Sequence, residues 1–200
     1  MNVYTFPKSR SLRVLWTLEE LKLDYTTSPV ALFSTEPAAS SPHPLHKVPV
    51  LEDEGSLIFE TAAICQYLGE KKGNRELYPT DALQKAKVNE WLSFSLTDLE
   101  SPVWYLLKHK FLLPEALRSP AVIETTFRDA SKTLDAIRFS AEQEWIAGEH
   151  FTLADIFFSH TLMWAQLCAL PVNDKLTRYV ARCQRREAFS KALERNNRTA

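Results

Sequence analysis

The apolar positions of this chain begin as a short β-prone run, Val3 to Phe6, ended by Pro7. They then recur at helical spacing through Leu12, Leu15, Trp16, Leu18 and Leu21, one wide face of a helix running to about Leu23, with Ser9 or Ser11 placed to cap it. Asp24 to Val30 carries Tyr25, Thr26 and Thr27 and reads as a strand that stops near Pro29. Strand, helix and strand in so short a span predict a βαβ unit with parallel strands. Val48 to Leu51 is a second β-prone run, with Pro49 at the start or edge that a residue lacking an N–H requires. The polar stretch Glu52 to Ser56 contains Gly55, and Leu57 to Phe59 follows, so the pattern predicts a hairpin. Glu60 and Thr61 then open an amphipathic helix through Ala62, Ile64, Cys65, Tyr67 and Leu68. The order βαβ–ββα predicts a mixed four-stranded α/β domain with helices on its faces.

Between these halves, residues 31–46 are rich in Ser and Pro and read as irregular, apart from a turn of helix near Thr35 to Ser40. Gly73 and Asn74 end the hairpin's helix, and Leu77 to Asp81 marks a boundary. The organisation expected is a first domain over 1–78, a linker over 79–84 and an all-α domain over 85–200. In that second domain Ala86, Val88, Trp91, Leu92, Leu96 and Leu99 form a helical stripe, interrupted at Pro102. Ile123, Phe127, Ala130, Leu134 and Ile137 form another beyond a polar break at Pro114 to Pro120. Thr152 to Asp155 fits a capping box ahead of Ile156, Phe157, His160, Met163 and Trp164. Pro171 closes that helix, Leu176 to Arg186 forms another, and the tail from Asn196 is polar.

Composition narrows the function classes. The chain has 200 residues, 45% hydrophobic and 24% charged, with a net charge of −1. No field favours nucleic acid or an anionic membrane, and no apolar run is long enough for a signal peptide or a bilayer span. The three cysteines, Cys65, Cys168 and Cys183, are scattered through apolar or amphipathic stretches without metal-ligand spacing. A cytoplasmic, metal-free protein is expected.

The candidate chemistry sits at strand-to-helix junctions. Glu60 and Thr61 place a carboxylate and a hydroxyl beside the unpaired N–H groups of a helix start, which suits a small zwitterion. The residue before an edge proline offers its carbonyl and N–H to an extended peptide. Spacing alone reads Glu60 and Thr61 as ordinary first-turn and capping residues, and Ser9 as a helix cap.

HKVPVL at His46–Leu51, followed by FETAAICQYL at Phe59–Leu68, resembles the glutathione-binding segment of the cytosolic glutathione S-transferase family. The opening YTFPKSRSLRVLWTLEELKLDY, LYP at Leu77–Pro79 and FTLADI at Phe151–Ile156 resemble it too, so the resemblance spans nearly the whole chain. It implies a thioredoxin-like first domain and a helical second domain. It also implies glutathione as co-substrate, a hydrophobic electrophile as second substrate, detoxifying conjugation, and a homodimer.

The resemblance further implies roles for particular residues. Ser9 matches the hydroxyl with which serine-type members stabilise the glutathione thiolate, whose thiol titrates near pH 8.5 when free. Tyr4 and Ser11 are its rivals. Arg10 stands where cysteine-type members carry their thiol, which argues against a mixed-disulfide mechanism. His46 and Lys47 are implied to meet the glycine carboxylate. Val48 presents its backbone before Pro49, with the Val48–Pro49 bond cis, and Glu60 and Thr61 hold the γ-glutamyl end. Trp104, Tyr105 and Lys108 are candidates for the electrophile wall. The sequence departs from the family in two places: His43-Pro44-Leu45-His46 stands for the usual Asn-Pro-x-Gly, and Thr61 for the commoner serine. Two other functions fit the same resemblance: a non-catalytic interaction module of the stringent-starvation type, and a glutathione-dependent isomerase, dehalogenase or peroxidase.

Overall fold

The computed structural model describes residues 1–32, 40–138 and 143–198. The helical turn expected near Thr35 to Ser40 falls, up to residue 39, outside the described residues. The chain forms two compact units, Met1–Pro79 with Gln184–Ala200, and Thr80–Cys183.

The first unit is built on a four-stranded sheet of order β2-β1-β3-β4. Its strands are β1 (Asn2–Thr5), β2 (Thr26–Pro29), β3 (Val50–Asp53) and β4 (Ser56–Phe59). β1 runs parallel to β2 and antiparallel to β3, and β3 and β4 form the hairpin. The hairpin turns on two residues, Glu54 at φ 50° and Gly55 at φ 79°, the left-handed pair that matches the twist of the flanking strands. Pro29 lies on edge strand β2, and Pro49 lies just before β3, so neither proline removes a ladder bond.

Helix α1 (Ser11–Leu21) buries Leu12, Leu15, Trp16 and Leu18, the stripe expected from their spacing. It closes on Lys22 in the left-handed region, whose N–H returns to the Leu18 and Glu19 carbonyls. Helix α2 (Thr61–Lys72) buries Ile64, Cys65 and Leu68 and closes the same way on Gly73. Asp53, buried at the end of β3, ties the hairpin to α2. Its carboxylate accepts from Lys71 Nζ at 2.5 Å and from the Tyr67 hydroxyl at 2.8 Å. The Lys71 bond, more than any other influence, holds the Asp53 carboxyl below the usual carboxylate range.

The second unit is helical: α3 (Ala82–Phe94), α4 (Glu100–Leu107), α5 (Pro120–Ala136), α6 (Leu153–Leu167) and α7 (Asp174–Gln184), the last leaving the unit after Cys183. The interruption expected at Pro102 is instead a π-helical turn over Ser95–Leu99, and the helical course continues through it. Proline has no N–H for the carbonyl four residues back, that of Asp98. The Thr133 hydroxyl on α5 donates to that carbonyl at 3.3 Å. A second π-helical turn, Lys108–Leu112, follows α4, and Ser119 caps α5 by accepting the Val122 N–H at 3.4 Å. The capping box at Thr152 and Asp155 is present. Asp155 does more than cap: it also accepts the Ile146 N–H at 2.8 Å and the Tyr179 hydroxyl at 2.6 Å. Burial raises this carboxyl above its usual value despite its donors.

The sequence assigned 85–200 to one helical domain, and here the structure differs. Helix α8 (Glu187–Asn196), which the periodicity reading left out, belongs with the sheet-bearing unit and packs on α1. Phe189 meets Trp16 edge-on at 4.9 Å. Arg186 forks onto the Glu20 carboxylate at 2.6 and 2.7 Å, and Arg195 lies 3.2 Å from Glu19. All three cysteines are free and buried, and burial pushes the Cys65 and Cys183 thiols up to about 12. No helix among the described residues is long and apolar enough to cross a membrane.

Candidate functional site

Sheet register gathers the segments carrying Ser9, Val48 and Glu60 at one end of the first unit. Tyr4 opposes Val50, so the chain leaving β1 passes beside the chain entering β3. Val50 opposes Phe59, so Glu60 and the start of α2 lie at that same end. The Phe6–Arg10 turn, the Lys47–Pro49 segment and the Glu60–Thr61 junction therefore converge. The N-termini of α1 and α2 both begin there, each the positive end of a helix.

The turn after β1 is held by hydroxyls. Lys8 adopts φ 57°. Ser9 Oγ donates to the Phe6 carbonyl at 2.7 Å and accepts the Ser11 N–H at 3.1 Å. The Ser9 and Ser11 hydroxyls are 2.9 Å apart, and the Phe6 N–H points at Ser11 Oγ at 3.4 Å. Arg10, not Ser9 or Ser11, occupies the cap position of α1, and its own side chain makes no cap bond. Ser11 is fully buried, whereas Ser9 is half-buried. Of the two rivals to Ser9, Ser11 is thus enclosed, and the Tyr4 phenol donates to Glu52 at 3.0 Å. That bond raises the phenol's pKa further from neutrality.

The second segment carries a cis Val48–Pro49 bond. Val48 is half-buried and Pro49 buried, with His46 and Lys47 exposed ahead of them. The His43–His46 turn forms although Asn and Gly are missing from it. His43 Nδ1 accepts the Leu45 N–H at 2.9 Å, the local bond an asparagine side chain makes in such turns. The His46 N–H returns to the His43 carbonyl at 2.8 Å, and His46 itself adopts φ 54°. Ser41 Oγ donates to the Lys47 carbonyl and accepts the His43 N–H at 3.2 Å.

Glu60 stands at the head of α2 at φ 69°, ψ 120°, and its side chain makes no cap bond. A non-glycine residue held there costs about 1–3 kcal/mol, and such residues cluster where geometry serves a ligand. The carboxylate is 73% exposed, while Thr61 beside it is buried. Glu60 thus holds the cap position of α2 without a side-chain cap bond, and its carboxylate stands open beside the start of that helix. His43, which sequence reasoning did not single out, places its Nε2 3.8 Å from Glu60 Oε1. Its signal was the departure from Asn-Pro-x-Gly, which placed a second ring nitrogen where asparagine has none.

Within the helical unit, Trp104 is half-buried and stacks on Trp164 at 5.8 Å and 30°. Tyr105 is 48% exposed, with Lys108 Nζ 5.1 Å from its ring centre. The two form an accessible cation–π pair next to the π-helical turn.

Comparison with known proteins finds similarity to glutathione S-transferases. The family model "Glutathione S-transferase, N-terminal domain" matches residues 9–71. Glutathione S-transferase GstA of Escherichia coli O157:H7 is 28% identical over 201 residues, covering 96% of this chain and 97% of that one. Bovine glutathione S-transferase theta-1 is 33% identical over 127 residues, 60% of this chain, which spans only 53% of that relative's length. A sphingomonad glutathione S-transferase solved with glutathione superposes with a TM-score of 0.83 at 24% identity, covering 98% of both chains, a likeness of fold. Residues 9–71 thus match the glutathione S-transferase N-terminal domain, and over nearly its whole length the chain is similar to a bacterial glutathione S-transferase.

Proposed function

We propose that this chain is a glutathione transferase of the serine type, which ionises the glutathione thiol for attack on a hydrophobic electrophile. The observation that carries the reading is Glu60, strained, exposed and capping nothing, at the sheet end where the Ser9 turn and the Val48 backbone converge. Glu60 pairs with the γ-glutamyl ammonium, and the Thr61 hydroxyl and N–H take the neighbouring carboxylate. The Val48 N–H and carbonyl bind the cysteinyl residue as an added strand would. The exposed cations or donors His46 and Lys47 take the glycine carboxylate. These contacts bring the sulfur to the Ser9 turn at the start of α1.

Catalysis then follows from charge. Ser9 Oγ–H turns from the Phe6 carbonyl to the sulfur, and with the positive end of α1 it favours the thiolate over the thiol. The thiol proton leaves to solvent. The thiolate's electron pair forms a new carbon–sulfur bond, and on an activated aryl chloride the displaced bond leaves as chloride. We assign Trp104, Tyr105 and Lys108 to the electrophile, the aromatic faces for apolar area and the ammonium for developing negative charge. A homodimer in a reducing cytoplasm, where three buried thiols stay free, completes the proposal. Calorimetric titration with glutathione, followed by turnover of an aryl chloride, tests it. Binding with turnover supports the reading, and a protein that binds no glutathione contradicts it.

A further inference from the structure

We infer that His43 is a positioning residue that aims the Glu60 carboxylate at the ligand's ammonium; the inference rests on the glutathione reading above. His43 is 6% exposed and fixed on three sides. Its Nδ1 accepts the Leu45 N–H at 2.9 Å, its ring meets Phe59 edge-on at 5.0 Å and 67°, and its own N–H is held by Ser41 Oγ at 3.2 Å. Because Nδ1 is an acceptor, the neutral ring carries its proton on Nε2. That Nε2–H lies 3.8 Å from Glu60 Oε1, just beyond hydrogen-bond distance.

One imidazole thus joins two of the converging segments. Through Nδ1 it shapes the turn that delivers Lys47, Val48 and Pro49. Through Nε2 it offers a fixed donor to a carboxylate that is otherwise free to swing in solvent. A side chain 73% exposed loses rotamer freedom when it binds, and a donor already in place lowers that cost. The donor's charge also matters. A lysine or arginine in this position would hold Glu60 but repel the incoming ammonium, whereas a neutral imidazole leaves the carboxylate's full charge for the ligand. His43 touches no part of the ligand in this scheme and acts only through Glu60.

The test compares glutathione with its analogue lacking the γ-glutamyl amino group, glutaryl-cysteinylglycine, by calorimetry on the full chain. His43→Asn keeps an acceptor for the Leu45 N–H but cannot reach Glu60. It should weaken glutathione by about fivefold or more while leaving the analogue within about twofold. In a Glu60→Gln background it should weaken neither ligand further. In the unmutated protein, the His43 Nε2 resonance should move on adding glutathione and stay in place on adding the analogue, a readout that does not depend on a variant folding. Equal losses for both ligands, no loss for either, or a resonance indifferent to glutathione would overturn the inference. Wild-type protein that binds neither ligand removes the glutathione reading itself, and this inference with it.

Discussion

The hydroxyl of Ser9 donates to the carbonyl oxygen of Phe6 at 2.7 Å, so the group proposed to stabilise a thiolate is engaged within its own turn before the ligand arrives. If Ser9 releases that proton, Ser11 still ties the turn to Phe6, accepting the Phe6 N–H at 3.4 Å. Ser11 is fully buried and serves this scaffold. Ser11→Ala should lower stability by about 1 kcal/mol, the worth of a typical buried hydrogen bond. Its turnover, measured in the folded fraction, should fall less than that of Ser9→Ala. A Ser11 variant as impaired as the Ser9 one would move the chemistry to Ser11.

Glu60 separates strain from function. Glu60→Ala and Glu60→Gly both remove the carboxylate, so both should weaken glutathione by at least about tenfold. Only glycine accepts φ 69° without a steric penalty. The glycine variant should therefore be more stable than the alanine variant by about 1 kcal/mol in denaturant melts. An alanine variant of equal or greater stability would show that the backbone is not strained.

Asp53 predicts a pH dependence. Lys71 holds its folded carboxyl below the ordinary value near 3.9. A depressed folded pKa contributes stability that is fully present above the unfolded value and is lost as pH falls toward the folded one. The stability advantage of wild type over Asp53→Asn should hold steady from neutral pH to about pH 5 and shrink below about pH 4. Chemical denaturation across that range measures it. An advantage that does not change with pH would mean the Lys71 pair adds nothing to folding.

Asp155 accepts from Ile146, from Tyr179 and from both the N–H and the hydroxyl of Thr152. An ordinary cap is worth about 0.5–2 kcal/mol. Removing this one also strands buried donors, so Asp155→Ala should cost about 3 kcal/mol. Glutathione affinity in the folded fraction should be unchanged. A stable but inactive variant would assign Asp155 to the chemistry instead.

Much of the fold was legible because its signals are local. The strand and helix periods of residues 2–29 and 50–72 read directly as βαβ and ββα, and Thr152-x-x-Asp155 announced its own capping box. The rest depended on contacts distant in sequence. Helix α8 is amphipathic, but its place on α1 is decided by Phe189 against Trp16 and by Arg186 against Glu20, pairs more than 160 residues apart. Pro102 was read as a break because its missing N–H is local, whereas the Thr133 hydroxyl that serves Asp98 comes from another helix. At the site, Ser9, Glu60 and Thr61 were assigned through a resemblance, since their spacing alone described caps, while Val48 stood out only as the residue before an edge proline. His43 could not be assigned from sequence, because its two nitrogens face residues 2 and 17 positions away.

The central claim, that Ser9 stabilises a bound thiolate, is tested most directly by ultraviolet titration of glutathione's sulfur in complex with wild type and Ser9→Ala. In wild type the bound thiol should be half-ionised clearly below its free value of about 8.5. In Ser9→Ala it should titrate at higher pH, with affinity within a few fold and turnover reduced by roughly 10²-fold. Identical titration curves for the two proteins would contradict the account and leave activation to the backbone and the end of α1.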